Sequence, residues 1–231
     1  MTDEPAARGP RTSGAGATGA LADLGPGLLV MDVDSTLIDQ EVIELLAEHA
    51  GAREQVAEIT ARAMRGELDF AASLRERVAA LAGVPRRVLT QVRDEVRLTP
   101  GARDLIDSLH ARGCRVGVVS GGFEEVVAPM ARRLGIDHVA ANRLEVSGGV
   151  LTGRVLGRVV DREEKVHRLR TWAEGDGVPM ERTVAVGDGA NDLGMITAAG
   201  LGVAFCAKPI VVERADAAVH VRDLTAVLDL L

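Results

Sequence analysis

The chain has 231 residues, of which 47% are hydrophobic and 26% are charged, and its formal net charge at pH 7 is −7. This balance is typical of a folded globular protein and excludes extensive disorder. The negative charge argues against a protein that binds the nucleic-acid backbone, and a content of three Phe, one Trp and no Tyr argues against a stacking platform for single strands.

The N-terminal segment, the cysteines and the apolar runs give predictions about chain flexibility and cellular compartment. Residues 1–26 are rich in small and polar residues without a helical or strand period, which predicts a flexible tail. Cys114 and Cys206 lie in apolar surroundings without the spacing of metal ligands, so we expect a reducing compartment. No apolar run approaches the roughly 18 residues of a membrane helix, and no signal peptide is evident. We expect a cytoplasmic protein with neither a membrane nor a nucleic-acid partner.

Short apolar runs typical of buried strands recur along the chain, at 28–31, 116–119, 183–186, 201–205 and 217–219. Helical periods separate the later runs, at about 102–112, 124–134, 162–174 and 191–198. Strands that alternate with helices predict an α/β fold with a Rossmann-like, doubly wound parallel sheet. Ligands bind such sheets at the carboxyl ends of the strands.

Two segments interrupt this alternation. The span 39–97 contains only helical periods and is too long for one crossover helix, so it predicts a helical cap subdomain inserted after the first strand. The catalytic core would then comprise residues 27–38 and 98–231. Within it, Gly148-Gly149 separates two β-rich runs in residues 143–155, which predicts a small β-hairpin insertion.

Carboxylates follow two of the predicted strands, Asp32 and Asp34 after the first and Asp188 and Asp192 after a later one. Taken alone, the first pair is as consistent with an Asx turn or a solvated loop as with a functional site. An EF-hand calcium loop is excluded, because its turn glycine and its bidentate glutamate are both missing. Four carboxylates at one sheet edge would repel one another unless a cation lay among them, and Mg²⁺ suits such oxygen ligands.

Two weaker signals complete the set. Ser120-Gly121-Gly122 ends the second predicted strand just before a helix, where exposed backbone N–H groups can bind an anion, although a Gly-Gly pair is also an ordinary tight turn. Lys165 lies in the first turn of a helix, where the macrodipole disfavours a cation, although solvated surface lysines are common. Together these residues are the parts of a phosphoryl-transfer site.

From about Leu28 to the C-terminus the sequence resembles the haloacid dehalogenase-like (HAD) phosphatases and, among these, the phosphoserine phosphatase family. Seven segments carry the resemblance: 32–38, 64–70, 73–78, 118–123, 141–145, 186–192 and 204–209. The resemblance implies Mg²⁺-dependent hydrolysis of O-phospho-L-serine to L-serine and phosphate through an aspartyl-phosphate, the last step of serine biosynthesis.

The resemblance also implies roles for individual residues. Asp32 would be the nucleophile, and Asp34 the general acid and base. Mg²⁺ would be held by Asp32, the backbone carbonyl of Asp34 and Asp188, with support from Asn191 and Asp192. The phosphate oxygens would be held by Ser120, the N–H group of Gly121 and Lys165, with Asn191 also near the substrate.

The predicted cap carries the residues that would select the substrate. Arg77 lies on the apolar edge of its helix, so it is expected to point inward, either to a structural acid or to a substrate carboxylate. The resemblance favours the substrate carboxylate. It also nominates Glu41, which periodicity does not separate from ordinary surface acids, as partner of the substrate ammonium group. Phe70 and Met64 resemble apolar cap contacts, and a plain core position accounts for Met64 at least as well.

Alternatives stay open at this stage. The substrate of a related phosphatase or phosphotransferase would be another small phosphate, such as phosphothreonine, phosphohomoserine or a sugar phosphate. A receiver-like signalling module also phosphorylates an aspartate beside Mg²⁺, although it has no use for a built-in base such as Asp34. We expect a monomer or a homodimer.

Overall fold

The structure, a computed structural model, describes residues 11–231 and is built around one sheet. Its strands are β1 (Thr12–Gly14), β2 (Leu28–Met31), β3 (Arg115–Phe123), β4 (His138–Ser147), β5 (Val150–Leu156), β6 (Thr183–Gly187), β7 (Leu201–Phe205) and β8 (Ala217–Val219). Its helices are α1 (Gly19–Leu24), α2 (Val42–Ala50), α3 (Arg53–Met64), α4 (Phe70–Ala79), α5 (Val88–Glu95), α6 (Ala102–Ala111), α7 (Glu124–Leu134), α8 (Arg162–Gly175), α9 (Leu193–Ala198) and α10 (Pro209–Val212).

The sheet is mostly parallel, with the strand order β1-β8-β7-β6-β2-β3-β4-β5. Every neighbouring pair from β8 across to β4 is parallel, and only β1 and β5 run antiparallel to their neighbours. Apolar side chains form a buried cluster on each face, which accounts for the fully buried run Leu28–Met31 in β2. The predicted doubly wound α/β fold is confirmed.

The topology also locates the functional edge. The chain leaves β2 toward β3 and β4 on one side, and later returns to the other side of β2 as β6, β7 and β8. The order therefore reverses between β2 and β6. A ligand cleft forms at such a switch point, outside the carboxyl ends of the strands.

The N-terminal segment differs from its prediction. Residues 1–10 of the predicted tail lie outside the described residues. The prediction of a flexible tail is wrong for residues 12–24, where β1 pairs with β8 (Thr12 opposite Val219) and α1 buries Leu21. The strand forms because β8 offers it an edge from the far end of the chain, and local sequence periodicity carries no sign of that partner.

The two segments predicted to interrupt the α/β alternation have the expected structure: the first is helical and the second is a β-hairpin. The span 39–97 contains α2–α5, and β4 and β5 form a hairpin that turns at Gly148 and Gly149, with φ of 58° and 82°. The first half of β4, which was not predicted, also extends the parallel sheet beside β3. None of the helices within residues 11–231 has both the length and the apolar character needed to cross a bilayer.

Candidate active site

A buried lysine joins two of the predicted carboxylates. Asp32 directly follows β2 and is 5% exposed, while Lys165, in the first turn of α8, is 0% exposed. The Lys165 ammonium group donates to Asp32 Oδ1 at 2.7 Å and to Asp192 Oδ1 at 2.6 Å. Burial alone would lower the pKa of Lys165, but the two carboxylates outweigh burial and raise it. The lysine is therefore a permanent cation, and the carboxylates explain its place in a helix turn that disfavours positive charge.

The second carboxylate of the first loop is suited to proton transfer. Asp34 Oδ1 accepts a hydrogen bond from the Val42 N–H at 3.1 Å, and Oδ2 accepts one from Ser120 Oγ at 3.4 Å. Burial and the nearby carboxylate of Glu41 raise the pKa of Asp34 to about 7. A carboxyl group with this pKa can both give and take a proton near neutral pH.

Carboxylate oxygens of Asp32, Asp188 and Asp192 lie within 4.8 Å of one another. Burial and the Asp192 carboxylate raise the pKa of Asp188 to about 6, while burial and Asp192 also raise that of Asp32, against the opposing effect of Lys165. Crowded carboxylates with raised pKa values favour a bound cation, and hard oxygen ligands of this kind suit a divalent ion. The cluster is thus consistent with a divalent metal site.

The loops around the cluster are held by their own hydrogen bonds. Thr36 Oγ1 donates to Asp188 Oδ1 at 2.9 Å. Asp192 Oδ2 accepts from the N–H groups of Asp188 and Gly189 at 3.2 and 3.0 Å. The bond from Thr36 joins the loop after β2 to the loop after β6 and orients the Asp188 carboxylate, and the bonds to Asp192 hold the second loop in its turn.

The small-residue turn at the end of β3 lies against the acid. Ser120 Oγ accepts from the Gly122 N–H at 2.8 Å. A Cβ atom on Gly122 would lie 2.6 Å from Asp34 Oδ2, so only glycine allows this approach. Asn142 holds the turn from behind, because its Nδ2 donates to the Gly121 carbonyl at 2.8 Å while its Oδ1 accepts from the Val160 N–H at 2.9 Å.

Helices α2 and α4 close a cavity of about 160 Å³ over these groups. Its lining comprises Asp32, Asp34, Gly121, Gly122, Asp188, Gly189, Asn191 and Lys208 from the strand ends, and Glu41, Ile43, Phe70, Leu74 and Arg77 from the helices. The ring of Phe70 lies directly on Gly121, where an added Cβ would come within 2.9 Å of it. The volume suits a small phosphoester rather than a macromolecule.

The charged residues in the roof of the cavity differ in their partners. Glu41 Oε1 accepts a hydrogen bond from Ser35 Oγ at 2.7 Å. Arg77 is half-buried, and burial lowers its pKa even though Glu41 acts in the opposite direction. Within residues 11–231 its guanidinium group forms no ion pair, and its one hydrogen bond goes to the Ser73 carbonyl at 3.4 Å. A half-buried guanidinium without a carboxylate is ready to receive an anion.

One predicted contact is wrong and three residues were missed. Met64 ends α3 with its side chain 76% exposed, so it neither lines the cavity nor belongs to the core, because it lies on the outer face of its helix. Asn142, Thr36 and Lys208 were given no role. All three lie in segments that carry the family resemblance, which was the available signal.

The lysine bridge yields a stability prediction. Lys165→Met should lower the free energy of unfolding by about 3–5 kcal/mol, because it leaves buried carboxylates without their cation. Urea unfolding in the presence of a chelator measures the change. Lys208→Met, which removes an exposed ammonium group, is the matched control and should change stability by less than about 0.5 kcal/mol. A loss below about 1 kcal/mol for Lys165→Met would contradict the bridge.

A mostly parallel α/β sheet with a buried lysine, a carboxylate cluster and a polar cavity at its carboxyl edge defines a phosphoryl-transfer site on a Rossmann-like fold. The chain belongs to the haloacid dehalogenase-like hydrolase family, which matches residues 29–197.

Relatives from several organisms support the assignment. A phosphoserine phosphatase of Streptomyces coelicolor is 60% identical over 204 residues, which cover 88% of this chain and 50% of that protein. A phosphoserine phosphatase of Streptococcus thermophilus is 53% identical over 205 residues, which cover 89% of this chain and 95% of that protein. The chain thus spans half the length of the first relative and nearly all of the second.

Solved structures agree with this family. A phospho-aspartyl intermediate analogue of phosphoserine phosphatase has a TM-score of 0.83 and 44% identity, covering 88% of this chain and 98% of that one. A substrate-bound phosphoserine phosphatase has the same TM-score and identity, covering 88% and 97%. The predicted family resemblance is confirmed, and the protein is a phosphatase-type enzyme.

Proposed function

We propose that the protein is a phosphoserine phosphatase that hydrolyses O-phospho-L-serine to L-serine and phosphate with the help of Mg²⁺. One observation carries the proposal: a single small cavity joins the Asp32–Asp34 pair to an unpaired Arg77 and to Glu41. Phosphoserine carries a phosphate, a carboxylate and an ammonium group. The cavity offers a complementary group for each of them.

The first half of the reaction uses the two aspartates of the loop after β2. An Asp32 carboxylate oxygen attacks phosphorus in line, the bond from phosphorus to the serine oxygen breaks, and Asp34 gives its proton to that oxygen. The aspartyl-phosphate and free serine result. The pKa of about 7 for Asp34 suits this donor, because a lower pKa would leave too little of the protonated form.

The second half reverses the role of Asp34. It takes a proton from water, the water oxygen attacks phosphorus, and the bond to Asp32 breaks to release phosphate. Ser120, the Gly121 N–H and Lys165 hold phosphate oxygens in both halves. Mg²⁺, held by Asp32, the Asp34 carbonyl and Asp188 with Asn191 and Asp192 in support, would neutralise charge on the phosphoryl oxygens when bound.

The amino-acid end of the substrate is held by the helical insertion. Arg77 binds the carboxylate in a bidentate pair and Glu41 binds the ammonium group, while Phe70 supplies an apolar wall. Residues 39–97 form a cap over a core made of 27–38 and 98–231, and closure of the cap excludes water until the leaving group is protonated. The reaction completes serine biosynthesis in the cytoplasm, a compartment in keeping with the free thiols of Cys114 and Cys206.

The covalent route can be tested by rapid acid quench with phosphoserine labelled in its phosphate. We expect label on the protein within the first turnover, bound as an acyl phosphate that hydroxylamine releases. Label that persists for minutes after substrate is removed would instead indicate a receiver-like signalling module. No label at all, together with phosphate release, would contradict the aspartyl-phosphate.

Metal binding gives a prediction that does not depend on turnover. Addition of millimolar Mg²⁺ to chelator-treated protein should raise the thermal midpoint by several degrees, because the cation relieves repulsion among the carboxylates. Asp188→Asn should lose most of this rise, whereas Asp107→Asn, an exposed carboxylate on α6, should keep it. An equal rise in both variants would place the metal elsewhere.

The alternative function is hydrolysis of, or transfer from, another small phosphate, such as phosphothreonine, phosphohomoserine or a sugar phosphate. The shared catalytic groups would act identically on these compounds. The presence of both Arg77 and Glu41 in the cavity favours an amino-acid phosphate over a sugar phosphate, because a sugar phosphate has no carboxylate for Arg77 and no ammonium group for Glu41.

A further inference from the structure

An arginine-lined cleft lies between α5 and α7, separate from the active-site cavity. Its volume is about 620 Å³, and none of its lining residues is shared with the active site. Five guanidinium groups line it: Arg86, Arg87, Arg93, Arg132 and Arg143. We call this feature the α5–α7 cleft.

The α5–α7 cleft is positive although the chain as a whole has a net charge of −7. Only two carboxylates line it, those of Glu124 and Glu125. Among the described residues, the one ion pair within the lining joins Arg143 to Glu124 at 3.6 Å. Glu125 accepts a hydrogen bond from the Leu144 N–H at 3.0 Å, and its other carboxylate oxygen is buried without a hydrogen-bond partner in the described part of the chain, so it forms no ion pair with these arginines. The cleft therefore concentrates uncompensated positive charge.

The helix macrodipoles do not explain why five arginines line one cleft. Arg93 and Arg132 lie in the last turns of α5 and α7, where the macrodipole favours cations. Arg86 and Arg87, in contrast, precede α5, where the macrodipole disfavours them, and Arg143 lies on β4. Residues from three separate elements thus supply charge to one cleft.

We infer that the α5–α7 cleft is a second ligand site and that it takes a small polyanion with two or more phosphate groups. Guanidinium groups bind phosphate oxygens in bidentate fashion, and several of them suit a ligand that carries several phosphates. The volume falls within the range of about 300–1,000 Å³ that is typical of small-molecule sites. The inference does not depend on the proposed function, because the two sites share no residue.

Calorimetric titration with inorganic triphosphate in the presence of chelator and about 0.15 M salt tests this site. Without metal, the acidic active-site cavity repels the probe, so binding reports on the cleft. We expect one equivalent to bind per chain. The double variant Arg86→Ala/Arg132→Ala, which removes one exposed guanidinium from each side, should weaken binding at least tenfold. Arg112→Ala/Arg170→Ala removes the same charge from exposed positions elsewhere and should change affinity less than twofold.

Three results would overturn the inference. The first is no binding by the unaltered protein. The second is equal weakening in both double variants, since that would reveal general charge attraction. The third is loss of binding in Arg77→Ala, which would place the triphosphate in the active-site cavity. Circular dichroism of each variant checks that it is folded, and we expect spectra equal to that of the unaltered protein.

A second observation concerns Arg222, whose guanidinium group is bound to the segment after Asp34. It donates to the Ser35 carbonyl at 3.0 Å, the Ile38 carbonyl at 3.1 Å and Asp39 Oδ1 at 2.8 Å. It also reaches Thr99 Oγ1 at 3.4 Å, on the segment that returns from the helical insertion. One side chain therefore ties together both connections between the insertion and the sheet.

We propose that Arg222 is a positioning residue for the acid Asp34, a proposal that rests on the proposed function. Ser35 adopts a left-handed conformation with φ of 57°, which a residue other than glycine adopts only under constraint. The hydrogen bond from Arg222 to its carbonyl supplies such a constraint. Asp34, the proposed proton donor, directly precedes Ser35 in the chain. A looser turn at Ser35 would therefore displace the Asp34 carboxyl group.

Arg222→Ala and Arg222→Lys test the positioning role with both phosphoserine and p-nitrophenyl phosphate. We expect kcat to fall at least tenfold on both esters in both variants with KM within about threefold, because lysine lacks the planar fork that spans three acceptors. Arg214→Ala, an exposed arginine outside this network, is the control. Unchanged kcat with a lowered melting temperature, or rescue by lysine, would overturn the positioning role. Inactivity of the unaltered protein on both esters would instead overturn the proposed function.

Discussion

Asp32→Asn is expected to reduce kcat for phosphoserine by roughly 10⁴-fold or more and to eliminate the acid-stable label on the protein. The reason is chemical, because an amide oxygen does not form the acyl phosphate on which the route depends. The substitution keeps the size of the side chain, and Lys165 keeps its bond to Asp192, so the fold should persist. Phosphate release and quench-flow labelling measure the two effects.

The control for this variant is Asp23→Asn, an exposed carboxylate on α1. It should match the unaltered protein in turnover and labelling. Turnover by Asp32→Asn above about one-tenth of the original rate, with label still attached, would mean that another group is the nucleophile.

Arg77→Ala is expected to separate substrate recognition from chemistry. Loss of one partner of a buried charged hydrogen bond costs about 2–5 kcal/mol, so kcat/KM for phosphoserine should fall at least about 30-fold. p-Nitrophenyl phosphate has no carboxylate, and its kcat/KM should stay within about threefold. Steady-state kinetics on both esters gives the comparison.

Arg75→Ala provides a matched control on the same helix. Arg75 is exposed and lines no part of the active-site cavity, so neither ester should respond to its loss. Equal losses on both esters in Arg77→Ala would show that Arg77 supports the fold of the roof and does not select the substrate.

The sequence predicted the site best where strand ends determine it. The positions of Asp32, Asp188 and Ser120 follow from three buried apolar runs and from the rule that parallel strands end at one edge. In the structure Asp32 and Asp188 share the carboxylate cluster, and Ser120 donates to Asp34. Lys165 lies far along the chain, and besides the family resemblance only its unfavourable helix position marked it. Its two carboxylate partners supply the explanation that sequence alone could not.

The failures have a common physical origin in contacts between distant segments. Strand β1 forms because it pairs with the edge strand β8, which is far away in the sequence. The local pattern of residues 12–14 gives no indication of that partner. Met64 resembles an apolar cap contact, but it is the last residue of α3, whose buried residues are Val56 and Ile59, and it is left 76% exposed. Asn142 acts through two backbone groups, one in the β3 turn and one before α8, and apart from its place in a segment that carries the family resemblance nothing local to it predicts these bonds.

The central claim is tested most directly by phosphate release from a panel of small phosphoesters, each measured with Mg²⁺ and with chelator. The panel comprises L-phosphoserine, D-phosphoserine, phosphothreonine, phosphohomoserine, a sugar phosphate and p-nitrophenyl phosphate. The account predicts metal-dependent release with the highest kcat/KM on L-phosphoserine. Equal rates across the panel, or a preference for the sugar phosphate, would contradict the roles of Arg77 and Glu41, and release that chelator leaves unchanged would contradict the metal site.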